Sequence, residues 1–157
     1  MPETGTLESL AAQQRPNPDA IATIIFHTLA QAIAALSAAA CADRPVLLAS
    51  APNAGGYLGP GWFKALVAAA REAVPDARSS TLLDCGDNVG AALAAIRAEV
   101  EGIIFSGRPD AARRLADIAR QHSVRFETKR PAEALDLAED FFASHEDLVR
   151  RCAEFLA

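Results

Sequence analysis

The sequence predicts an α/β domain built on a parallel sheet, and three observations carry that prediction. Short apolar runs recur along the chain, each bounded by Pro, Gly, Ser or Asp: Val46–Ser50, Ser80–Asp84, Gly102–Ser106 and Ser123–Glu127. Between them lie longer segments whose apolar residues recur at helical spacing. The strand-like runs are apolar throughout rather than alternating, as expected of parallel strands covered on both faces. Strands alternating with helices imply right-handed βαβ crossovers. About four parallel strands are too few to close a (βα)8 barrel. They fit half of such a barrel or an open doubly wound sheet, with extra helices at the N- and C-termini.

The elements follow in order. Residues 1–16 read as an N-terminal arm and 17–157 as one α/β domain. Asn17 is expected to cap a first helix, with Pro18 at its first position. Ile21, Ile24, Ile25, Leu29, Ile33 and Leu36 mark its buried face, His27 lies opposite, and Cys41 lies at its end. The first strand, Val46–Ser50, leads through a glycine-rich loop, residues 51–61. The next helix carries Trp62, Phe63, Leu66, Val67 and Ala70 on one face and stops at Pro75. The second strand is followed by a helix with Val89, Leu93, Ile96 and Val100 inward. The third is followed by a helix that Pro109 opens, with Leu115, Ile118 and Ala119 inward. Pro131 opens a helical segment through Leu135 and Leu137. Ser144 caps a last helix whose stripe is Leu148, Val149, Cys152, Phe155 and Leu156.

Composition narrows the function. A chain of 157 residues suits one domain. With 51% hydrophobic and 22% charged residues it can bury a core without staples. A net charge of -5 argues against nucleic acid as a partner, because phosphate binding needs a concentrated positive face. The pairs Arg113-Arg114 and Arg150-Arg151 read as solvated helix faces. Cys41, Cys85 and Cys152 are odd in number, and Met1-Pro2-Glu3-Thr4-Gly5 lacks a positive leader, so a reducing, cytoplasmic setting is expected. The apolar stretch 20–42 is interrupted by Thr23, His27, Thr28, Gln31 and Ser37, too polar for a membrane span.

Ligands of parallel sheets bind at the carboxyl ends of the strands. The sequence places there Ser50 and Asn53, then Asp84, Cys85 and Asp87, then Ser106 and Arg108, then Glu127 and Lys129. Asp84 ends an apolar strand, where a carboxylate costs desolvation unless it is hydrogen-bonded, so it needs a partner. Cys85 precedes a helix, whose dipole lowers a thiol pKa, while Asp84 and Asp87 raise it. The three histidines are all expected on helices, which leaves Cys85 without a base. Asp87 reads first as an N-cap. Gly55 and Gly56 let the loop backbone approach an anion. No close Cys or His cluster suits a metal, and no cofactor is called for. A half barrel leaves open edges that a second copy can cover, so a homodimer is expected.

Arg44-Pro45-Val46-Leu47-Leu48-Ala49-Ser50, Ala54-Gly55-Gly56-Tyr57-Leu58-Gly59 and Leu83-Asp84-Cys85-Gly86 resemble, over about residues 30–129, a segment of the class II fructose-bisphosphate aldolase barrel. Gly102-Ile103-Ile104-Phe105 and Val124-Arg125-Phe126-Glu127 extend the resemblance. In that family the third motif reads Asp-His-Gly, the Asp a catalytic acid and the His a zinc ligand. Asp84 matches the Asp; Cys85 replaces the His. The resemblance implies barrel-like strand order and a phosphate or polyol pocket, without zinc aldolase activity. The leading expectation is therefore a small-molecule binding domain for an anionic or polyol metabolite, its pocket formed by Ser50, Asn53, Asp84, Cys85, Ser106 and Glu127. The alternatives are an enzyme with Cys85 as nucleophile and Asp84 as acid or base, and a dimeric interaction module without an active pocket.

Overall fold

The computed structural model describes residues 20–157; the expected arm and the Asn17-Pro18 cap lie outside them. The chain runs β1 (Ala22–Phe26), α1 (Leu29–Cys41), β2 (Val46–Ser50), a short α2 (Ala54–Tyr57), α3 (Gly59–Ala73), β3 (Ser79–Asp84) and α4 (Val89–Arg97). It continues through β4 (Gly102–Ile104), α5 (Pro109–Gln121), β5 (Arg125–Glu127), β6 (Ala134–Asp136), a 3-10 turn (Ala138–Asp140) and α6 (His145–Leu156). All six strands are parallel, in the order β5-β4-β3-β2-β1-β6. The α/β class with strands alternating with helices holds, and the strand count is six rather than four.

Two segments read as helix are strands. Thr23-Ile24-Ile25 is β-branched, which favours a pleated surface. Ala22–Phe26 pairs in register with Val46–Ser50, lying inside the sheet between β2 and β6. The helix begins only after Thr28, whose hydroxyl accepts the Gln31 N–H at 3.1 Å. The expected helix from Pro131 is instead β6, paired with β1 from Thr23↔Ala134 to Ile25↔Asp136. Hydrogen bonding to β1, rather than local propensity, fixes that short segment.

Strands β1 to β5 lie side by side in sequence order, so connections of one hand put their helices on one face. The main core shows this: Ile24, Phe26, Leu48, Leu83 and Ile103 from the strands, with Phe105 just past β4, pack there against residues of α1, α3, α4, α5 and α6. Phe26 stacks on Phe63 of α3 with ring centroids 6.1 Å apart. The opposite face carries Ile25, Leu47, Ala49, Leu82 and Ile104, packed with Ala134 and with no helix among them. All five are at most 7% exposed. A face without helices stays dry in this way when the sheet curls on itself, as in a barrel interior.

The link from β5 to β6 closes the curl. These strands are the two edges of the sheet, yet only residues 128–133 join them. A flat sheet of six strands sets its edges roughly 24 Å apart, at about 4.8 Å per step. That is close to the full reach of so short a link at about 3.5 Å per residue. The link runs instead as a chord across the inner side of a curled sheet. At its middle Arg130 touches the ends of β2 and β3, and at its end Ala134 joins the inner cluster.

Candidate functional site

Residues Asp84, Ile104 and Glu127 share one register row at the C-terminal rim, on the inner side of the sheet. Asp84 is 3% exposed and fully partnered. Its Oδ1 accepts the Asn53 N–H at 3.0 Å and the Gly86 N–H at 2.8 Å. Its Oδ2 accepts from the Arg130 guanidinium, which also donates to the Ser50 carbonyl at 3.3 Å. The Asp84 N–H donates to Ser50 Oγ at 2.9 Å. The partner a buried carboxylate demands is thus supplied by the β5–β6 link. The carboxylate ties three segments together: the loop after β2, the turn after β3 and the link.

Cys85 takes the next position and so points to the opposite, helix-covered face. It is fully buried in the main core, with its sulfur against Gly55. Burial, and then the Asp84 charge, push its thiol up to about 12. The lowering that a helix start would give is absent, because α4 begins at Val89 and the cap is Asn88, which accepts the Ala91 N–H at 3.0 Å. Asp87, read as the cap, is an exposed turn residue.

The remaining rim residues divide. Ser50, Asn53 and Gly55 join Asp84 and Cys85 in one packed cluster. A Cβ on Gly56 would meet Asn53 Oδ1 at 2.6 Å; that oxygen is buried and has no partner among the described residues. Asn53 takes the left-handed φ of 57° that lets the loop turn. Ser106 hangs on this cluster through its N–H to the Gly86 carbonyl, at 2.8 Å, with its side chain exposed. Glu127 pairs with Arg125 on its own strand at 2.8 Å. Arg108 pairs with Asp110 at 3.3 Å, both largely in water.

Residues beyond those read from the sequence also belong to the rim. His27 follows β1 directly rather than lying inside a helix, because β1 replaces the first part of that helix. Its Nε2 lies 2.7 Å from Asp136 Oδ1, and its N–H donates to Gln31 Oε1 at 2.7 Å. Gln31 Nε2 donates in turn to the Leu137 carbonyl at 2.8 Å, which locks β6 to the start of α1. Arg130 had one local signal, a basic residue held extended before Pro131.

The open space at the rim lies elsewhere than the Asp84 cluster. A cleft of about 410 Å³ runs between the C-terminal ends of β4 and β5 and the first turns of α5. Phe105 and Phe126 line one side and Ala112 and Ala116 the other, with Ser106, Arg113 and Thr128 as its polar groups. Of the candidate site residues expected from sequence, Ser106 alone lines it, while Arg113, read as part of a solvated helix face, is exposed and also borders it. Among the described residues no cluster of three or more His, Cys, Asp or Glu is placed to hold a metal. No helix of them is long and apolar enough to cross a membrane.

A parallel sheet curled inward, with its helices outside, defines a portion of a barrel-like α/β fold. The chain is similar to the crystal structure of a protein described as a fructose-1,6-biphosphate aldolase from Coccidioides immitis, with a TM-score of 0.58 and 17% identity. The likeness covers 69% of this chain and 40% of that one, so it spans well under half of the larger structure. It shows the fold. No family model and no curated protein matches the sequence.

Proposed function

We propose that the protein is a small-molecule binding domain whose site lies at the strand C-termini, in the cleft between β4, β5 and α5. The carrying observation is that cleft. Its volume falls in the range of small-molecule sites, it is mostly apolar, and it has a few converging polar groups. Anionic metabolites suit it better than neutral ones, since Arg113 is the one charged lining residue among the described residues. The Asp84–Arg130–Ser50 cluster is the scaffold that holds the neighbouring loops, its hydrogen-bonding capacity already spent within the chain. A nucleophilic Cys85 has little support, because its thiol is buried and held protonated. A thermal-shift screen of metabolites tests the proposal. A ligand at about a hundred times its Kd stabilises by about 2.7 kcal/mol, which raises Tm by roughly 5–10 °C for a chain of this size. A saturable rise that weakens in Arg113→Ala is expected; no rise with any anionic or polyol compound overturns the reading.

A second reading, self-association, is favoured by Phe142. It is 96% exposed and packs edge-on against half-exposed Phe141, with centroids 5.1 Å apart. Two aromatic rings in water are the kind of surface that a second copy covers. Light scattering that shows a dimer in wild type and a monomer in Phe142→Asp supports this reading; a monomer in both removes it.

A further inference from the structure

We infer that the cleft takes an anion with a flat apolar body, of the arylcarboxylate class, in preference to a bare phosphate or a polyol; the inference rests on the binding site proposed above. The slot exists because the chain departs from the barrel pattern. A helix after β5 would lie over Phe126, but the link turns to the inner side to reach β6, and Phe126 stays half-buried. Phe105 behind it is fully buried, with the two ring centroids 6.3 Å apart and the rings inclined at 37°. On the facing wall Ala112 and Ala116 are one helical turn apart and carry only methyl groups, so a ring-sized space remains between helix and strand.

Charge selects the rest of the ligand. Among the described residues no acidic one lines the cleft, although the chain carries a net charge of -5. Among the described residues Arg113 makes no ion pair, and the nearby Asp110 is taken by Arg108. A guanidinium receives a planar carboxylate through two parallel hydrogen bonds. Ser106 and Thr128 add hydroxyl donors at the strand ends. A polyol would leave the aromatic wall facing hydroxyls, and a phosphate would fill only the charged end. An aryl body satisfies the apolar walls while its carboxylate meets Arg113.

The probes are 2-naphthoate, its neutral amide 2-naphthamide, and glycerol 3-phosphate, each titrated into the full chain while backbone amide resonances are followed. 2-Naphthoate is expected to shift Gly107, Ala112, Ala116 and Phe126 saturably. 2-Naphthamide is expected to bind about ten-fold more weakly, because it forfeits a charge-assisted hydrogen bond. Arg113→Gln, an exposed position, should weaken 2-naphthoate by a similar factor and 2-naphthamide by clearly less, so that the preference for the acid is lost. Ala116→Phe should fill the slot and abolish both; if that variant unfolds, Arg113→Gln decides. Equal affinity for acid and amide overturns the anion assignment. Shifts with glycerol 3-phosphate and none with 2-naphthoate overturn the ligand class but leave the binding site standing. Silence with all three overturns both.

Discussion

Asp84 is the residue on which the rim depends, because both its oxygens are engaged and it is buried. Removing the carboxylate leaves the Arg130 guanidinium and two backbone N–H groups without their acceptor, whereas removing Arg130 leaves the carboxylate with two donors. Breaking a buried ion pair by deleting one partner costs about 3–5 kcal/mol when the orphaned charge stays buried. Losing a single hydrogen bond costs about 1–2 kcal/mol. Arg130→Ala, which orphans the buried Asp84 carboxylate, is therefore expected to cost about 3–5 kcal/mol, and Asp84→Ala, which leaves two backbone N–H groups and a part-exposed guanidinium short of an acceptor, about 2–4 kcal/mol, both read by urea unfolding; a cost near zero for either would contradict the tie. The thiols make a second residue-scale case. Burial lifts Cys85 to about 12, and burial with Asp140 lifts Cys152 to about 11, against the opposing Arg151, while Cys41 is exposed. Below pH about 8.5 folded and unfolded chains both hold these protons; above it the unfolded chain releases them and the folded one does not. Stability is thus full at neutral pH and falls as pH rises from about 9 toward 12, by up to about 1.4 kcal/mol per unit for each buried thiol. Cys85→Ala should have a shallower alkaline slope than wild type. An unchanged slope would mean that the thiol is not held protonated by the fold. The sequence disclosed that Asp84 needs a partner, through the cost of a carboxylate at an apolar strand end. It did not disclose Arg130, since a contact across 46 residues leaves no local pattern.

Elements with a neighbour on each side in sequence were readable, and those defined by distant pairing were not. Val46–Ser50 is bounded by Pro45 and a glycine-rich loop, and it lies where the sequence placed it. Thr23-Ile24-Ile25-Phe26 satisfies helical spacing with the residues after it, and a buried strand cannot be told from a buried helix by periodicity alone. Its β-branched run and the Thr28 cap with Gln31 at the third position were the signals that decide in favour of a strand. β6 had no such signal: its three residues are extended because β1 offers them a ladder. The cap of α4 is an element-scale prediction that separates the two readings of the 87–88 turn. Asn88→Ala should cost about 1 kcal/mol, since its side chain caps the Ala91 N–H, while Asp87→Ala should stay within about 0.5 kcal/mol. The reverse order would restore Asp87 as the cap. Gly102 is a comparable test of the sheet. A Cβ there would lie 2.6 Å from Leu82 Cδ2 and 3.0 Å from Arg125 Cβ, so Gly102→Ala must displace Leu82 within the inner cluster. Overpacking of this kind costs about 1–3 kcal/mol.

At the scale of the whole molecule, the question is whether the sheet needs a second copy to be complete. A half barrel with a bare interior would need one. This chain closes its own interior: the curled sheet buries Leu82, Ala49 and Ile104 completely, and Ala134 at the start of β6 packs with them. Two edges remain, but each is short, and β5 carries the charged pair Arg125 and Glu127, a common defence against edge-to-edge pairing. Folding should therefore be complete in the monomer, and any association through Phe141 and Phe142 should add to a fold already formed. Phe142→Asp separates the two cases, because Phe142 is 96% exposed and its loss removes surface apolarity without opening a cavity. At low micromolar concentration, where weak contacts dissociate, the variant is expected to melt cooperatively within about 1 °C of wild type, as surface substitutions do. An obligate dimer behaves differently, since its folded state is inseparable from protomer concentration. A variant that melts many degrees lower at that dilution, with the difference closing as both are concentrated, would mean that the second copy supplies part of the core rather than an added contact.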